Sequence, residues 1–72
     1  MEVQSIIIDK NKFSKKKANA FVKKNFKLKK VDEKTHTYRY RQTDVDRFNR
    51  KSLRTIKITE GVKAVVGKLM IL

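Results

Sequence analysis

The chain contains no cysteine, no proline and no tryptophan, and it has only two glycines and one histidine in 72 residues. Without cysteine it has neither a disulfide framework nor a thiolate metal site. Without proline or a stretch rich in glycine and serine, no linker between domains is indicated. We therefore expect one small domain over residues 1–72, at a size where only roughly 60% of the unfolded surface becomes buried.

Long apolar segments are also missing. The sequence has no run of about 18 apolar residues, so no transmembrane helix is predicted. Its first residues, Met1-Glu2-Val3-Gln4, lack the basic region and the long apolar segment of a signal peptide. These absences predict an intracellular protein with no membrane contact.

Basic residues are abundant and unevenly placed. Lysine and arginine outnumber aspartate and glutamate by 20 to 7, which gives a net charge of +13. A magnitude of roughly 2 to 8 suffices for solubility of a small domain, and self-repulsion at a higher charge opposes compaction. Residues 10–30 hold ten lysines and no acid, whereas all five arginines lie between residues 39 and 54. This distribution favours a polyanionic partner.

The first half of the chain predicts a strand followed by a helix. Residues 3–8 include three consecutive isoleucines, which is typical of a buried strand. Ser14 is a good N-cap, and Ala18, Phe21, Val22 and Asn25 have the spacing of one helical face. The helix is predicted over residues 14–25. Residues 26–28 suggest a short strand or an extended exit, and residues 31–34 suggest a turn.

The second half predicts three more strands. Residues 35–42, 53–59 and 62–66 are rich in β-branched and aromatic residues. Between the first two, residues 43–50 predict one helical turn with Phe48 pointing inward. Glu60-Gly61 predicts a tight turn. The expected fold is α+β, with one amphipathic helix on an antiparallel sheet of about four strands in the order β-α-β-β-β. One helix covers only one sheet face, so the second face should be open to water or a partner.

Residues that could carry catalysis are scarce. His36 is the only histidine, and we expect it to be an ordinary surface or edge residue. Asp44 and Asp46 are better explained as a helix cap and a partner for a nearby arginine than as a cation site. No glycine-rich phosphate loop or paired nucleophile and base is present. The sequence predicts a protein that is not an enzyme and uses neither a cofactor nor a metal.

Three lysines occupy the first turn of the predicted helix: Lys15, Lys16 and Lys17. The macrodipole makes that end positive, so each lysine is unfavourable there by roughly 0.3 to 1 kcal/mol unless an anion compensates. Free N–H groups at a helix start also bind anions. A phosphate site is one interpretation, and long lysine side chains that bend into water are the other.

The strand at residues 36–41 interleaves aromatic and basic residues, a pattern common in sheets that bind nucleic acid. If Tyr38 and Tyr40 face outward, they form a platform for base stacking. If they face the helix, they are core, and Arg39 and Arg41 line the open face with Lys57 and Lys63. We favour the second arrangement because the apolar side of the helix needs partners.

Both arrangements leave one basic sheet face, so we expect a protein that binds DNA or RNA through phosphates with weak sequence preference. The side chains predicted to contact nucleic acid are Lys15, Lys16, Lys17, Lys23, Lys24, Arg39, Arg41, Arg54, Lys57 and Lys63.

Four segments resemble a small uncharacterised domain encoded by phages, other viruses and environmental sequences. The helical pattern A-x-x-W-L-K-K-x-G-F aligns with residues 18–26, which are one position shorter, and Y-R-F-R-Q aligns with residues 38–42. The patterns F-R-T-I and G-V-K-A-V-I-G match residues 53–56 and 61–67. The likeness covers roughly residues 5 to 68. It departs at Phe21, where the pattern prefers Trp, and around Asn25, where a His-Gly pair is missing.

What the resemblance implies is a viral origin, and no chemistry. It places the protein in the cytoplasm or nucleus of a host cell, or in the virus particle. An alternative function follows, that of a minor capsid or internal head protein whose basic face docks on an acidic protein surface or on the packaged genome. The apolar tail, Leu69, Met70, Ile71 and Leu72, would then bury against a neighbouring copy or capsid protein. The simpler expectation for that tail is a final strand in the chain's own core.

Overall fold

A computed structural model describes residues 1–70. One helix packs on a five-stranded antiparallel sheet with strand order β2-β3-β1-β5-β4, which confirms the predicted α+β fold with one strand more than expected. Two 3-10 turns, Val45–Arg47 and Arg50–Ser52, lie between β3 and β4. The elements in chain order are β1 (Glu2–Asp9), α1 (Lys15–Asn25), β2 (Val31–Glu33), β3 (Thr37–Arg41), β4 (Arg54–Thr59) and β5 (Val62–Gly67).

The additional strand is β2, and the turn predicted for residues 31–34 is therefore wrong. Val31 pairs with Tyr40 and Glu33 pairs with Tyr38, so β2 extends the sheet beyond β3. The segment has little strand propensity of its own, with two acids in three residues. Hydrogen bonds to an existing strand stabilise it, since pairing and context often outweigh intrinsic β propensity.

Helix α1 begins where the sequence predicts, because the Ser14 hydroxyl accepts a hydrogen bond from the backbone N–H of Lys17 at 3.2 Å. Its inner face is narrow, and Ala18 and Val22 are fully buried. These two side chains belong to one apolar cluster with Ile6 and Ile8 of β1, and with side chains of β3 and β5. The helix therefore covers one face of the sheet and closes the main core.

The second face of the sheet is only half open, which corrects the expectation that all of it faces water or a partner. Residues 43–53 lie over one end. Phe48 in this segment is 1% exposed. A Cβ built on Gly67 of β5 would lie 2.9 Å from Leu53 Cδ2 and 3.2 Å from Phe48 Cδ2, so the segment packs tightly on the bare backbone of Gly67. A small second core results at this end.

The beginning of the apolar tail belongs to the same small core. Leu69 forms an isolated antiparallel bridge with Phe48, and the backbone N–H of Met70 donates to the Arg47 carbonyl at 2.9 Å. Leu69 thus returns to the chain's own fold, while the Met70 side chain is 51% exposed. The rest of the predicted tail, Ile71 and Leu72, lies outside the described residues.

Strand β4 forms one edge of the sheet, and all six of its residues are exposed. Ile56 is 38% exposed and Ile58 is 42% exposed. The pairing with β5 also shifts register between Lys57 and Thr59. Within residues 1–70, no helix has the length and apolar character needed to cross a membrane.

Substitution of two serines, Ser5 and Ser52, should change stability in opposite directions. The Ser5 hydroxyl is fully buried, and no hydrogen-bond partner is present for it within residues 1–70. A buried polar group without a partner costs about 1 to 3 kcal/mol. Ser5→Ala should therefore raise the free energy of unfolding, measured by urea denaturation.

The matched control is Ser52→Ala. Ser52 Oγ donates to the Asn49 carbonyl at 2.6 Å and accepts from the Lys68 N–H at 2.8 Å. Its loss should lower the free energy of unfolding by about 1 kcal/mol. Destabilisation by Ser5→Ala as large as that by Ser52→Ala would contradict the described environment of Ser5.

Candidate nucleic-acid interface

The register of the sheet aligns basic side chains across its uncovered half. Arg39 of β3 lies opposite Ile7 of β1, Ile7 lies opposite Lys63 of β5, and Lys63 lies opposite Lys57 of β4. Residues opposite each other project to the same face, here the one away from α1. Neighbouring strands are about 4.8 Å apart, so Arg39 and Lys57 are about 14 Å apart across three strand steps.

A second group of cations extends this row toward β2. Arg41 lies two residues beyond Arg39 and is exposed. Arg39, Arg41, Lys29, Lys30 and Asp32 line a shallow concavity of about 490 Å³. We call the whole surface the open face, which is defined by Lys29, Lys30, Arg39, Arg41, Lys57 and Lys63.

The lysines at residues 29 and 30 are held at this surface by the preceding backbone. The Gln42 side chain accepts from the Lys27 N–H and donates to the Lys27 carbonyl, both at 2.8 Å. The Lys29 ammonium also donates to the Gln42 carbonyl at 3.4 Å. Sequence patterns did not assign these lysines to the arginine side, because the pairing of Gln42 with the exit of the helix has no local signature.

Arg39 is positioned by a side chain from β1. Its Nη2 donates to Gln4 Oε1 at 3.2 Å, and Gln4 Nε2 donates to the Thr43 carbonyl at 3.1 Å. Arg39 is half-buried, whereas Arg41 is exposed. The guanidinium of Arg39 is therefore partly fixed on the open face before any ligand arrives.

The other end of the open face is a second shallow concavity of about 410 Å³, lined by Ile7, Lys57, Lys63, Glu60 and His36 among others. Glu60 is an acid within this basic surface. Its carboxylate lies 3.2 Å from Lys57 Nζ and 3.6 Å from Lys12 Nζ. The hydrogen bond from Lys57 and the nearby positive charges hold the pKa of Glu60 below its ordinary value. Lys57 is thus partly neutralised, and Lys63 forms no ion pair within residues 1–70.

The tyrosines are core, and the alternative in which Tyr38 and Tyr40 face outward as a stacking platform is wrong. Tyr40 is fully buried and Tyr38 is 9% exposed. The Tyr40 hydroxyl donates to Asn19 Oδ1 of the helix at 2.6 Å, and burial raises the pKa of Tyr40. The favoured alternative, with Arg39 and Arg41 on the opposite face, is therefore the arrangement found. None of the six residues that define the open face is aromatic, and the exposed ring of His36 lies at its end.

The helix lysines lie on the other side of the sheet. Lys16, Lys17, Lys23 and Lys24 are all exposed and surround the outer side of α1, away from buried Ala18. We call this surface the helix face. Because the helix packs on the tyrosine side of β3, the helix face and the open face point in opposite directions. Eight of the ten predicted contact residues are therefore divided between two separate surfaces.

Lys15 and Arg54 belong to neither surface. Lys15 Nζ lies 3.4 Å from a carboxylate oxygen of Glu33. Arg54 lies opposite Val66 on the helix side of the edge strand, and its Nη2 contacts the Met1 sulfur at 3.4 Å. Lys15 is already paired with an acid, so the predicted phosphate site at the helix start keeps only Lys16 and Lys17 as its lysines.

Asp44 and Asp46, the two acids considered for a cation site, both have structural partners. Among residues 1–70 no group of three or more His, Asp or Glu side chains is close enough to hold a metal ion. Asp44 caps the first 3-10 turn by accepting from the Asp46 N–H at 3.1 Å, and Asp46 pairs with Arg50 at 3.0 Å. These are the structural roles predicted for both acids.

Comparisons with known proteins add no assignment, since no family model, no curated protein and no solved structure matches the chain. The likeness to a small viral domain stays a prediction.

Glu33 connects β2 to the start of the helix through two ion pairs. These contacts make the stability of the fold depend on pH. Its two carboxylate oxygens lie 3.3 Å from Lys10 Nζ and 3.4 Å from Lys15 Nζ. The hydrogen bond from Lys10 and both positive charges lower the pKa of Glu33 from 4.5. A lowered native pKa stabilises the fold above the unfolded pKa, and this stabilisation is lost as the pH falls through the native pKa.

The melting temperature should therefore decline as the pH falls below about 5, near and below the ordinary pKa of a glutamate, and the decline should be smaller in Glu33→Gln. Thermal unfolding followed by circular dichroism at several pH values measures it. Glu2→Gln is the control, because Glu2 forms no ion pair within residues 1–70. Parallel curves for wild type and Glu33→Gln would show that the Glu33 contacts do not contribute.

Proposed function

We propose that the protein binds nucleic acid through the open face, with phosphate contacts supplying most of the affinity. The observation that carries this proposal is the separation of side chains along β3, which buries the tyrosines and presents Arg39 and Arg41 with four lysines on one uncovered surface. Arginine offers a planar fork for phosphate oxygens, and lysine offers a mobile point charge. Together they suit a polyanion with repeating phosphates.

The dimensions of the open face support a duplex as the ligand. Arg39 and Lys57 are about 14 Å apart by strand spacing, which is comparable to the roughly 12 Å width of the major groove of B-form DNA. Cations at the two ends of the row can therefore approach phosphates on both sides of a groove. The surface is shallow, so it fits a backbone better than a separated base.

The expected mode of binding has little sequence preference. Hydrogen bonds to phosphates carry no sequence information by themselves. Base stacking on aromatic side chains contributes about 1 to 3 kcal/mol per base in proteins that bind single strands. None of the six residues that define the open face is aromatic, and the His36 ring at its end is a single side chain rather than a stacking platform, so the higher charge density of a duplex should decide the affinity.

A salt titration with matched variants tests the proposal. Six cations on the open face predict a slope of log affinity against log salt no steeper than about −5, or a loss of about 10³ between 50 and 200 mM salt. Arg41→Gln/Lys63→Gln removes one arginine and one lysine from this face. The slope should become shallower by about 2. Fluorescence anisotropy with a labelled duplex at several salt concentrations measures it.

The control variant is Arg54→Gln/Lys68→Gln, which removes the same charges from positions off the open face. Its slope should stay close to that of wild type. Equal effects of the two double variants would mean that net charge and not the open face determines binding. No binding of duplex or single strands at low salt would overturn the proposal itself.

The choice between duplex and single strand gives a separate prediction. A duplex should bind more tightly than either of its strands at equal length and equal salt, and tyrosine fluorescence should change little because both tyrosines are buried. Competition between labelled duplex and unlabelled single strand measures the preference. Preferential binding of a single strand, with quenching of tyrosine emission, would contradict a phosphate-based open face.

A second candidate function is a structural role in a virus particle, which the sequence resemblance suggests. The exposed apolar side chains of Ile56 and Ile58 on edge strand β4 support it, since these could pack against a capsid protein. Purified particles would then retain the protein after nuclease treatment and washing with high salt. Release by nuclease alone would instead favour the nucleic-acid partner.

A further inference from the structure

We propose that one copy of the protein binds two nucleic-acid duplexes at once, one on the open face and one on the helix face. This inference rests on the proposed function of the open face and extends it to a second surface. What suggests it is the arrangement of the cations, which do not form one groove but two surfaces on opposite sides of the sheet.

The helix face has the composition of a binding surface in its own right. Lys16, Lys17, Lys23 and Lys24 form no ion pair within residues 1–70, and no acid lies anywhere between residues 10 and 30. Lys16 and Lys23 are seven residues apart, as are Lys17 and Lys24, which is about 10.5 Å along a helix axis. Two rows of free ammonium groups thus run along the exposed side of α1.

The position of two of these lysines is unfavourable for the isolated helix. Lys16 and Lys17 lie in the first turn, where the macrodipole is positive, and that turn contains no acid. Glu33 offsets Lys15 but contacts neither of the other two. A phosphate backbone laid along α1 would offset both, and it would also meet the N-terminal end of the helix.

The two faces are far enough apart to act independently. The domain measures 39 × 21 × 20 Å, and its shorter dimensions exceed the Debye length of about 8 Å at physiological salt. A duplex bound on one side therefore removes little of the attraction of the other side for phosphate. Each face retains its own salt-dependent affinity.

A single short duplex cannot reach both faces. Double-stranded DNA has a persistence length of about 50 nm, and bending it sharply within 20 to 30 base pairs is unfavourable. The two faces lie on opposite sides of a domain only about 20 Å thick. Simultaneous use of both faces by short duplexes therefore requires two molecules, which the protein would hold side by side.

A sandwich capture experiment tests the proposal. One duplex of about 20 base pairs is fixed to beads, a second carries a fluorophore, and the protein is titrated at low salt. We expect the second duplex to be captured and then released at excess protein, when every duplex is saturated by its own copies. This rise and fall is the behaviour of a bivalent monomer, and sedimentation in the absence of DNA checks that the protein is monomeric.

Two variants of equal charge identify the surface responsible. The helix-face variant changes Lys16, Lys17, Lys23 and Lys24 to Gln, which has a similar helix propensity. The control variant changes Arg47, Lys51, Arg54 and Lys68 to Gln, which removes the same charge elsewhere. The helix-face variant should bind one duplex within about threefold of wild type and capture the second about tenfold less. The control variant should capture it normally.

The outcomes distinguish failure of bivalent binding from failure of the proposed function of the open face. If wild type binds one duplex but captures no second, bivalent binding is wrong and the proposed function stands. Equal loss of capture in the two variants would overturn it as well, because general charge neutralisation would then explain the capture. Capture that persists at excess protein, together with a dimer in sedimentation, would assign it to self-association. If wild type binds no duplex at all, the proposed function itself has failed.

Discussion

The two-residue period of strand β3 is the constraint on which the rest of this structure depends. Tyr38 and Tyr40 enter the core, and the Tyr40 hydroxyl is bonded to Asn19 of the helix. The side chains between and after them, Arg39 and Arg41, must then project to the opposite face. A shift of one residue would expose both tyrosines and bury two guanidinium groups. The strand thus fixes which side the helix occupies and which side stays basic.

Stability in this small protein is divided between two unequal cores. The main core lies between α1 and the sheet and relies on small side chains such as Ala18, Val22 and Ala64 beside larger ones such as Tyr40. The small core, around Phe48 and Gly67, covers half of the other sheet face and leaves the other half exposed. A domain of this size gains from burying apolar surface on both sides of its sheet, and the uncovered half stays exposed.

Periodic patterns predicted most of the fold. The helix with its Ser14 cap, the β1 isoleucines and the return strand after Gly61 each carry a strong local signal, and all lie where expected. Strand β2 was missed because its acidic segment is stabilised by pairing with β3 and not by propensity. The small core was not predicted, because nothing in the sequence shows that residues 43–53 fold back over Gly67.

The sequence predicts which basic residues belong to the candidate site, but not how those residues are divided between two surfaces. The sequence places Arg39 and Arg41 together with Lys57 and Lys63 once the tyrosines are taken as core. It does not reveal that Lys29 and Lys30 leave the helical layer to join them, since this depends on the amide of Gln42. A charge count treats residues 10–30 as one block, whereas tertiary structure divides that block between two opposite surfaces.

The charge on the exposed edge strand β4 affects whether copies of the protein associate with each other. A free strand edge invites pairing with another copy, and lysines and irregular register are the usual protection against it. Here Lys57 and the shift between Lys57 and Thr59 provide that protection, beside the uncovered Ile56 and Ile58. Under the proposed function, a nucleic-acid phosphate that neutralises Lys57 would remove part of this protection and would also concentrate the protein along the nucleic acid. If nucleic acid binds as proposed, the charge of Lys57 has two roles, attraction of phosphate and protection of the β4 edge. Bound phosphate would then weaken the protection of the edge where copies are most concentrated.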